Sequence, residues 1–241
     1  MRFSITILDD YDAVSREAAD LVAGVIAAVP AARVVPAMGD SPQGLYKELA
    51  RRSDAGELDA SGLTVYQLDD YAGIAAQDPR SLAGWLVRSV VTPLRIPPEN
   101  VVLLPRDDGS GACAAYDRSI VAAGGYDLVI LGIGPNGHIG FNEPPAEGSA
   151  PTRELALSPA SIASSAGYWG SAGQVPRRAI TIGMAGLLSA RKTVLLACGA
   201  HKHEVVRRAL LGPVTDEVPA SYLQGAADFT VLLDSLAWNG S

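Results

Sequence analysis

Alternation constrains this chain more than anything else in it. Short runs rich in leucine and β-branched residues recur at 3–8, 33–37, 63–68, 101–104, 128–133, 154–157, 193–197 and 229–233. Between them lie segments of helical periodicity at 11–29, 42–52, 80–91, 111–123, 163–170, 184–189 and 201–211. Several of the short runs, 128–133 above all, carry no polar side chain, which a strand tolerates when both faces of its sheet are covered. The alternation predicts an open, doubly wound α/β fold, a mostly parallel sheet with helices on both faces. No repeat recurs at a period of 20–50 residues. No Ser/Pro/Gly linker divides the chain, and the Pro/Gly-rich stretch 144–151 reads as a loop. A single domain over 1–241 is expected, large enough to bury roughly 70–75% of its unfolded surface.

Charge narrows the partners. The chain carries 19 Lys and Arg against 26 Asp and Glu, a net −7, with no basic run beyond pairs such as Arg51-Arg52, Arg177-Arg178 and Arg207-Arg208. Nucleic acid and anionic membranes attract basic patches, so neither is an expected partner. Cys113 and Cys198 are the two cysteines, with no CxxC spacing. Cys198 adjoins the apolar run 193–197 and reads as a core residue, and a reduced, cytoplasmic setting is expected. Asp9 and Asp10 interrupt the first apolar stretch, which therefore lacks a signal-peptide profile. No apolar run approaches the roughly 20 residues of a membrane span. Monomer and homo-oligomer are equally open.

In doubly wound sheets the ligand site forms beyond the carboxyl ends of the strands. Three segments there carry chemistry. In Ala37-Met38-Gly39-Asp40-Ser41-Pro42, a glycine turn feeds a helix. Ser41 fits the N-cap and Pro42 the first helical position, and the free N–H groups of such a turn suit an anion. An ordinary capped helix explains the segment equally well, and the Asp40 carboxylate opposes a dianion. In Leu68-Asp69-Asp70-Tyr71, two carboxylates follow a strand. One can face the cleft while the other is held by donors, and burial beside a like charge raises the pKa of the first towards the range of a general base. Adjacent acids are also common in plain turns.

The third segment, residues 131–144, places four glycines in nine positions among Asn136, His138 and Glu143. Glycines let backbone approach a ligand closely, and the imidazole titrates near neutrality, with Glu143 and Asn136 available to orient it. A structural loop needs no such trio. The remaining histidines, in Gly199-Ala200-His201-Lys202-His203-Glu204, lie on another segment and read as surface residues, which argues against a metal site. Lys202, at a helix start, is either an anion ligand or a solvated lysine.

These segments resemble, in order and spacing, the glucosamine-6-phosphate deaminase (isomerase) family, which includes 6-phosphogluconolactonase. The resemblance runs from about residue 5 to 234. It is most specific in LDDYAG at 68–73, DPRSL at 78–82 and LGIGPNGHIGFNEP at 131–144, with VPRRAI at 175–180 followed by TIGMAGLLSARK. The FNEP continuation separates deaminases from lactonases. The resemblance implies a modified Rossmann-like fold and no metal, nucleotide or redox cofactor. It implies Asp69 as the base moving a proton between C2 and C1 of an open-chain amino sugar. His138 would open the pyranose ring, assisted by Glu143 and Asn136, and an imine would be hydrolysed to a ketose and ammonia. Gly39, Asp40, Ser41, Asp70, Gly137 and Lys202 would contact the amino sugar or sugar phosphate.

The departures fall on the phosphate side. Where the family has TGGTP or TGSSP, this chain has MGDSP: Met38 lacks a hydroxyl and Asp40 adds a charge. The family's phosphate-binding Arg is missing from 158–171, with Ala166 or Gly167 near its place. Catalytic groups are thus expected to be retained while phosphate recognition is altered. A sugar lactonase using His138 to activate water has no evident need for Asp69, and a non-catalytic sugar sensor has no need for the proton-transfer set.

Overall fold

The computed structural model describes residues 3–75, 78–107 and 111–240. In chain order its elements are β1 (Ser4–Leu8), α1 (Tyr11–Ala28), β2 (Arg33–Pro36), α2 (Gln43–Asp54), β3 (Thr64–Tyr66), β4 (Asp69–Tyr71), α3 (Leu82–Leu86), β5 (Val101–Val102) and α4 (Ala112–Ala122). There follow β6 (Leu128–Leu131), β7 (Arg153–Ala156), α5 (Pro159–Trp169), β8 (Arg178–Thr181), α6 (Met184–Leu188), β9 (Lys192–Ala197), α7 (His203–Leu211), β10 (Phe229–Asp234) and α8 (Ser235–Asn239).

Seven strands form one sheet in the order β1-β10-β9-β6-β2-β3-β5, every neighbouring pair parallel. Strand period 2 sorts the apolar run of β6 between two cores. Leu128 and Ile130 meet Val14, Ala18, Val22 and Ile26, one stripe of α1, together with Leu45 and Leu49 of α2. Val129 and Leu131 pack with Tyr116 and Ile120 of α4, Met184 and Leu187 of α6, and Val205 and Val206 of α7. The expected covered sheet is therefore present. No helix among the described residues is long and apolar enough to cross a membrane.

A second sheet was not foreseen. β4, β8 and β7 form a three-stranded antiparallel sheet, pairing Asp69 with Thr181 and Thr181 with Arg153. β7 was expected one residue later, and β4 and β8 not at all. β4 is three residues long and acidic, and the apolar residues of β8 merge into the run leading to α6, so neither shows a period of its own. Helix boundaries shift for local reasons. α3 begins at Leu82 because Ser81 Oγ accepts from Gly84 N at 2.9 Å, and a π turn at Val87–Val91 continues it. α5 is longer than expected because Ser158 Oγ caps it, accepting from Ser161 N at 3.1 Å, with Pro159 in the first turn. Pro42, not Ser41, holds the cap position of α2, and no side chain caps that helix. Helix α8 was not expected; Asp234 caps it.

The switch point sets the site. After β2 the chain goes to β3 on one side; after β6 the next strand of the large sheet, β9, lies on the other. The loops beyond β2 and β6 therefore diverge and leave a crevice at the strands' carboxyl ends.

Candidate active site

A cleft of about 460 Å³ occupies that crevice. Its wall takes Met38, Gly39, Asp40 and Ser41 from the turn after β2, Asp69 and Tyr71 from β4, Gly132, Gly134 and His138 from the loop after β6, and Lys202 from the segment after β9. The structure thus brings together Gly39, Asp40, Ser41, Asp69, His138 and Lys202. Trp85, Ser164, Ser165 and Tyr168 also line it. No spacing singled these out, because their helices α3 and α5 reach the cleft only through tertiary packing.

The small antiparallel sheet holds Asp69. Ile182 N donates to Leu68 O at 2.8 Å, and Phe141 N donates to the hydroxyl of Thr181, the residue paired with Asp69. Asp69 is 7% exposed, and none of the described residues donates a hydrogen bond to its carboxylate. Burial first, and the neighbouring Asp70 charge second, push its carboxyl up to about 8. Asp70 points the other way, as the next residue of a strand must. Its carboxylate accepts from Gln67 Nε2 at 2.8 Å, Leu82 N at 2.9 Å and Ala83 N at 3.1 Å, binding β4 to the start of α3. Asp69 thus lines the cleft while Asp70 is held by donors away from it.

The loop after β6 folds His138 back over its own glycines. A Cβ on Gly134 would lie 2.1 Å from His138 Nε2 and 2.2 Å from Cε1, so only glycine admits the ring there. Gly137 is buried with φ +91°, its N–H bonded to Gly134 O and its carbonyl to Ala220 N. It shapes the loop and is not among the residues lining the cleft. Asn136 and Glu143 stand behind the imidazole: Asn136 Oδ1 accepts from His138 N at 3.2 Å, and Asn136 Nδ2 donates to Glu143 Oε2 at 3.0 Å. Burial lowers the His138 pKa, Glu143 opposes that and Lys202 reinforces it. Burial alone would raise the Glu143 carboxyl, but hydrogen bonds from Ser161, Asn136 and Ser158 and the His138 charge hold it below the usual carboxylate range.

On the opposite wall, Tyr11 pins the turn after β2. Its hydroxyl donates to Asp40 O at 2.9 Å and accepts from Gly44 N at 2.7 Å. The Asp40 side chain is exposed. Lys202 Nζ donates to Ile133 O at 2.7 Å, and burial lowers its pKa while Asp40 acts in the opposite direction. Helix α5 presents Ser164, Ser165 and Tyr168 where a cation was found missing, and Lys202 is the one lysine or arginine lining the cleft among the described residues. Cys198 lies just past β9, half-buried, packed against the core that holds α1 and α2 while also lining the cleft, with burial pushing its thiol up to about 12. His201 is exposed, as expected of a surface residue, and also lines the cleft, whereas His203 is half-buried. The described residues contain no group of three His, Cys, Asp or Glu that could hold a metal ion.

A switch-point cleft with a buried carboxylate and an imidazole on its walls belongs to an α/β enzyme that shifts protons on a small polar molecule. The chain is a member of the glucosamine-6-phosphate isomerases/6-phosphogluconolactonase family, whose model matches residues 9–232. It is 36% identical over 240 residues to a glucosamine-6-phosphate deaminase of Thermoanaerobacter pseudethanolicus, covering 98% of this chain and 94% of that relative. It is 37% identical over 236 residues to one of Rhodopirellula baltica, covering 97% and 94%. A solved monomeric glucosamine-6-phosphate deaminase superposes with TM-score 0.93 at 31% identity, covering 98% of each chain. The 6-phosphogluconolactonase of Trypanosoma brucei, 18% identical with TM-score 0.73, shares the fold.

Proposed function

We infer that the chain is an amino-sugar aldose–ketose isomerase/deaminase converting glucosamine-6-phosphate to fructose-6-phosphate and ammonia, working in the cytoplasm as one domain over 1–241. One observation carries the reading: a buried carboxylate to which none of the described residues donates a hydrogen bond shares a cleft with a half-buried imidazole. Carbon-acid chemistry needs a base of raised pKa that no donor quenches, and Asp69 has that environment. A lactonase has no comparable use for Asp69, and the relatives at 36–37% identity are deaminases. In this reading His138 passes a proton to and from the ring oxygen with Glu143 and Asn136 behind it, and Asp69 then moves the proton between C2 and C1. Gly39, Ser41 and Lys202 hold the far end of the sugar, and Asp40 tempers their pull on an anion.

The test measures ammonia release and ketose formation from glucosamine-6-phosphate and glucosamine side by side. Turnover of the phosphate ester is the expected result. Activity confined to glucosamine would overturn the phosphate assignment and make Asp40 and the cation-free α5 marks of an unphosphorylated substrate; silence on both would overturn the reading. Lys202→Ala is expected to raise KM for the phosphate ester about 10- to 100-fold, the worth of one charge-assisted hydrogen bond. KM for an unphosphorylated sugar should hardly change. Equal effects on both would remove Lys202 from phosphate binding.

A further inference from the structure

We propose that Ser161, supported by Ser158, is a positioning residue for His138, its hydroxyl bridging the imidazole Nδ1 and the Glu143 carboxylate and so fixing which ring nitrogen is left free. The inference rests on the proposed acid–base role of His138. His138 Nδ1 lies 3.7 Å from Glu143 Oε2, too far for a direct hydrogen bond, while Ser161 Oγ lies 3.4 Å from the same nitrogen. Glu143 Oε2 is already engaged by Asn136 Nδ2 at 3.0 Å and Ser158 Oγ at 2.9 Å. Glu143 Oε1 is buried with no hydrogen-bond partner among the described residues, and the Ser161 hydroxyl helps to hold the Glu143 carboxyl low.

A hydroxyl both accepts and donates. Ser161 is 1% exposed, so water does not compete for it. Accepting from Nδ1–H while donating to Glu143, it favours the neutral tautomer that carries its proton on Nδ1. Nε2, which lies over Gly134, is then bare and able to take a proton. The charged groups facing the ring are Glu143 from its own loop and Lys202 from the segment after β9. Neither can choose a tautomer without a bridge to Nδ1. Both serines sit at the start of α5, the helix that presents Ser164, Ser165 and Tyr168 to the cleft. One helix thus supplies a cleft wall and the support of the imidazole.

The test is nitrogen NMR of the full chain across pH, with the His138 signals assigned by loss in a His138→Gln variant among only three histidines. Wild type is expected to show the Nδ1–H tautomer at high pH. Ser161→Ala should give a mixture of tautomers and a lower imidazole pKa, because the imidazolium loses an acceptor; Ser161→Thr should restore both. An Nε2–H tautomer in wild type, or a Ser161→Ala spectrum unchanged in tautomer and pKa, would overturn the proposal. Kinetically, Ser161→Ala should lower kcat on glucosamine-6-phosphate roughly tenfold at unchanged KM, with no further loss in the His138→Gln background. Additive losses would reduce Ser161 to a packing residue. Absence of turnover by the wild-type chain overturns the functional reading alone, since the NMR result stands apart from it.

Discussion

Asp69→Asn is expected to lower kcat by about 100- to 10,000-fold, the usual contribution of a positioned acid–base group, while leaving substrate binding largely intact. It should also make the protein more stable at alkaline pH. The Asp69 carboxyl is held up to about 8 by burial and by Asp70, far above its unfolded value. Between an unfolded pKa of about 4 and a folded pKa of about 8, the folded chain keeps a proton that the unfolded chain has lost. Stability therefore falls as pH rises through that window, by at most about 1.4 kcal/mol per unit, and levels off above it. An asparagine removes this penalty, so the gain in melting temperature should be greatest above pH 8. The same shift sets the activity profile, because the base works only when ionised: kcat/KM of the wild type should rise with pH through about 8. Melting curves and rates at pH 6 and 9 check both halves. Full activity in Asp69→Asn would exclude Asp69 as the base, and equal stability gains at the two pH values would exclude the buried charge as the source of strain.

Gly134→Ala is expected to cost about 100-fold in kcat without removing any polar group. The added methyl would sit 2.1 Å from His138 Nε2, inside van der Waals contact with the ring, so the imidazole has to leave its place. A shift of about 1 Å at a reacting group has this scale of effect. Overpacking adds a destabilisation of about 1–3 kcal/mol, which a folded domain with two extended cores should withstand. The double variant Gly134→Ala, His138→Gln should be no slower than His138→Gln alone, because both changes remove one function. A Gly134→Ala enzyme with wild-type kcat would show that the ring position over Gly134 is not the working one.

Much of the frame was legible in the chain because it follows from local pattern. A run such as Leu128-Val129-Ile130-Leu131 has no polar face to give to water, so it had to be a strand covered on both sides, and the two cores divide its side chains alternately. The loop after it announced itself by combining glycines with Asn136, His138 and Glu143, and those three residues do meet. Asp69 and Asp70 were readable as a pair, though not as to which faced where. Composition of a turn says nothing about the strand pairing that orients it.

What the sequence by itself determined is the class of sheet, the crevice at its carboxyl ends and the titratable residues placed beside it, since periodicity and residue chemistry are local properties. Only the tertiary structure decided how those groups are held. The antiparallel sheet of β4, β7 and β8 turns Asp69 to the cleft and Asp70 to α3, through the pairing of β4 with β8, whose residues lie more than a hundred positions apart. Ser158 and Ser161 reach Glu143 and His138 only because α5 docks there, and Trp85, Tyr168 and Cys198 line the cleft for the same kind of reason. Burial is a property of what packs around a side chain, and with it come the raised carboxyl of Asp69 and the lowered imidazole of His138.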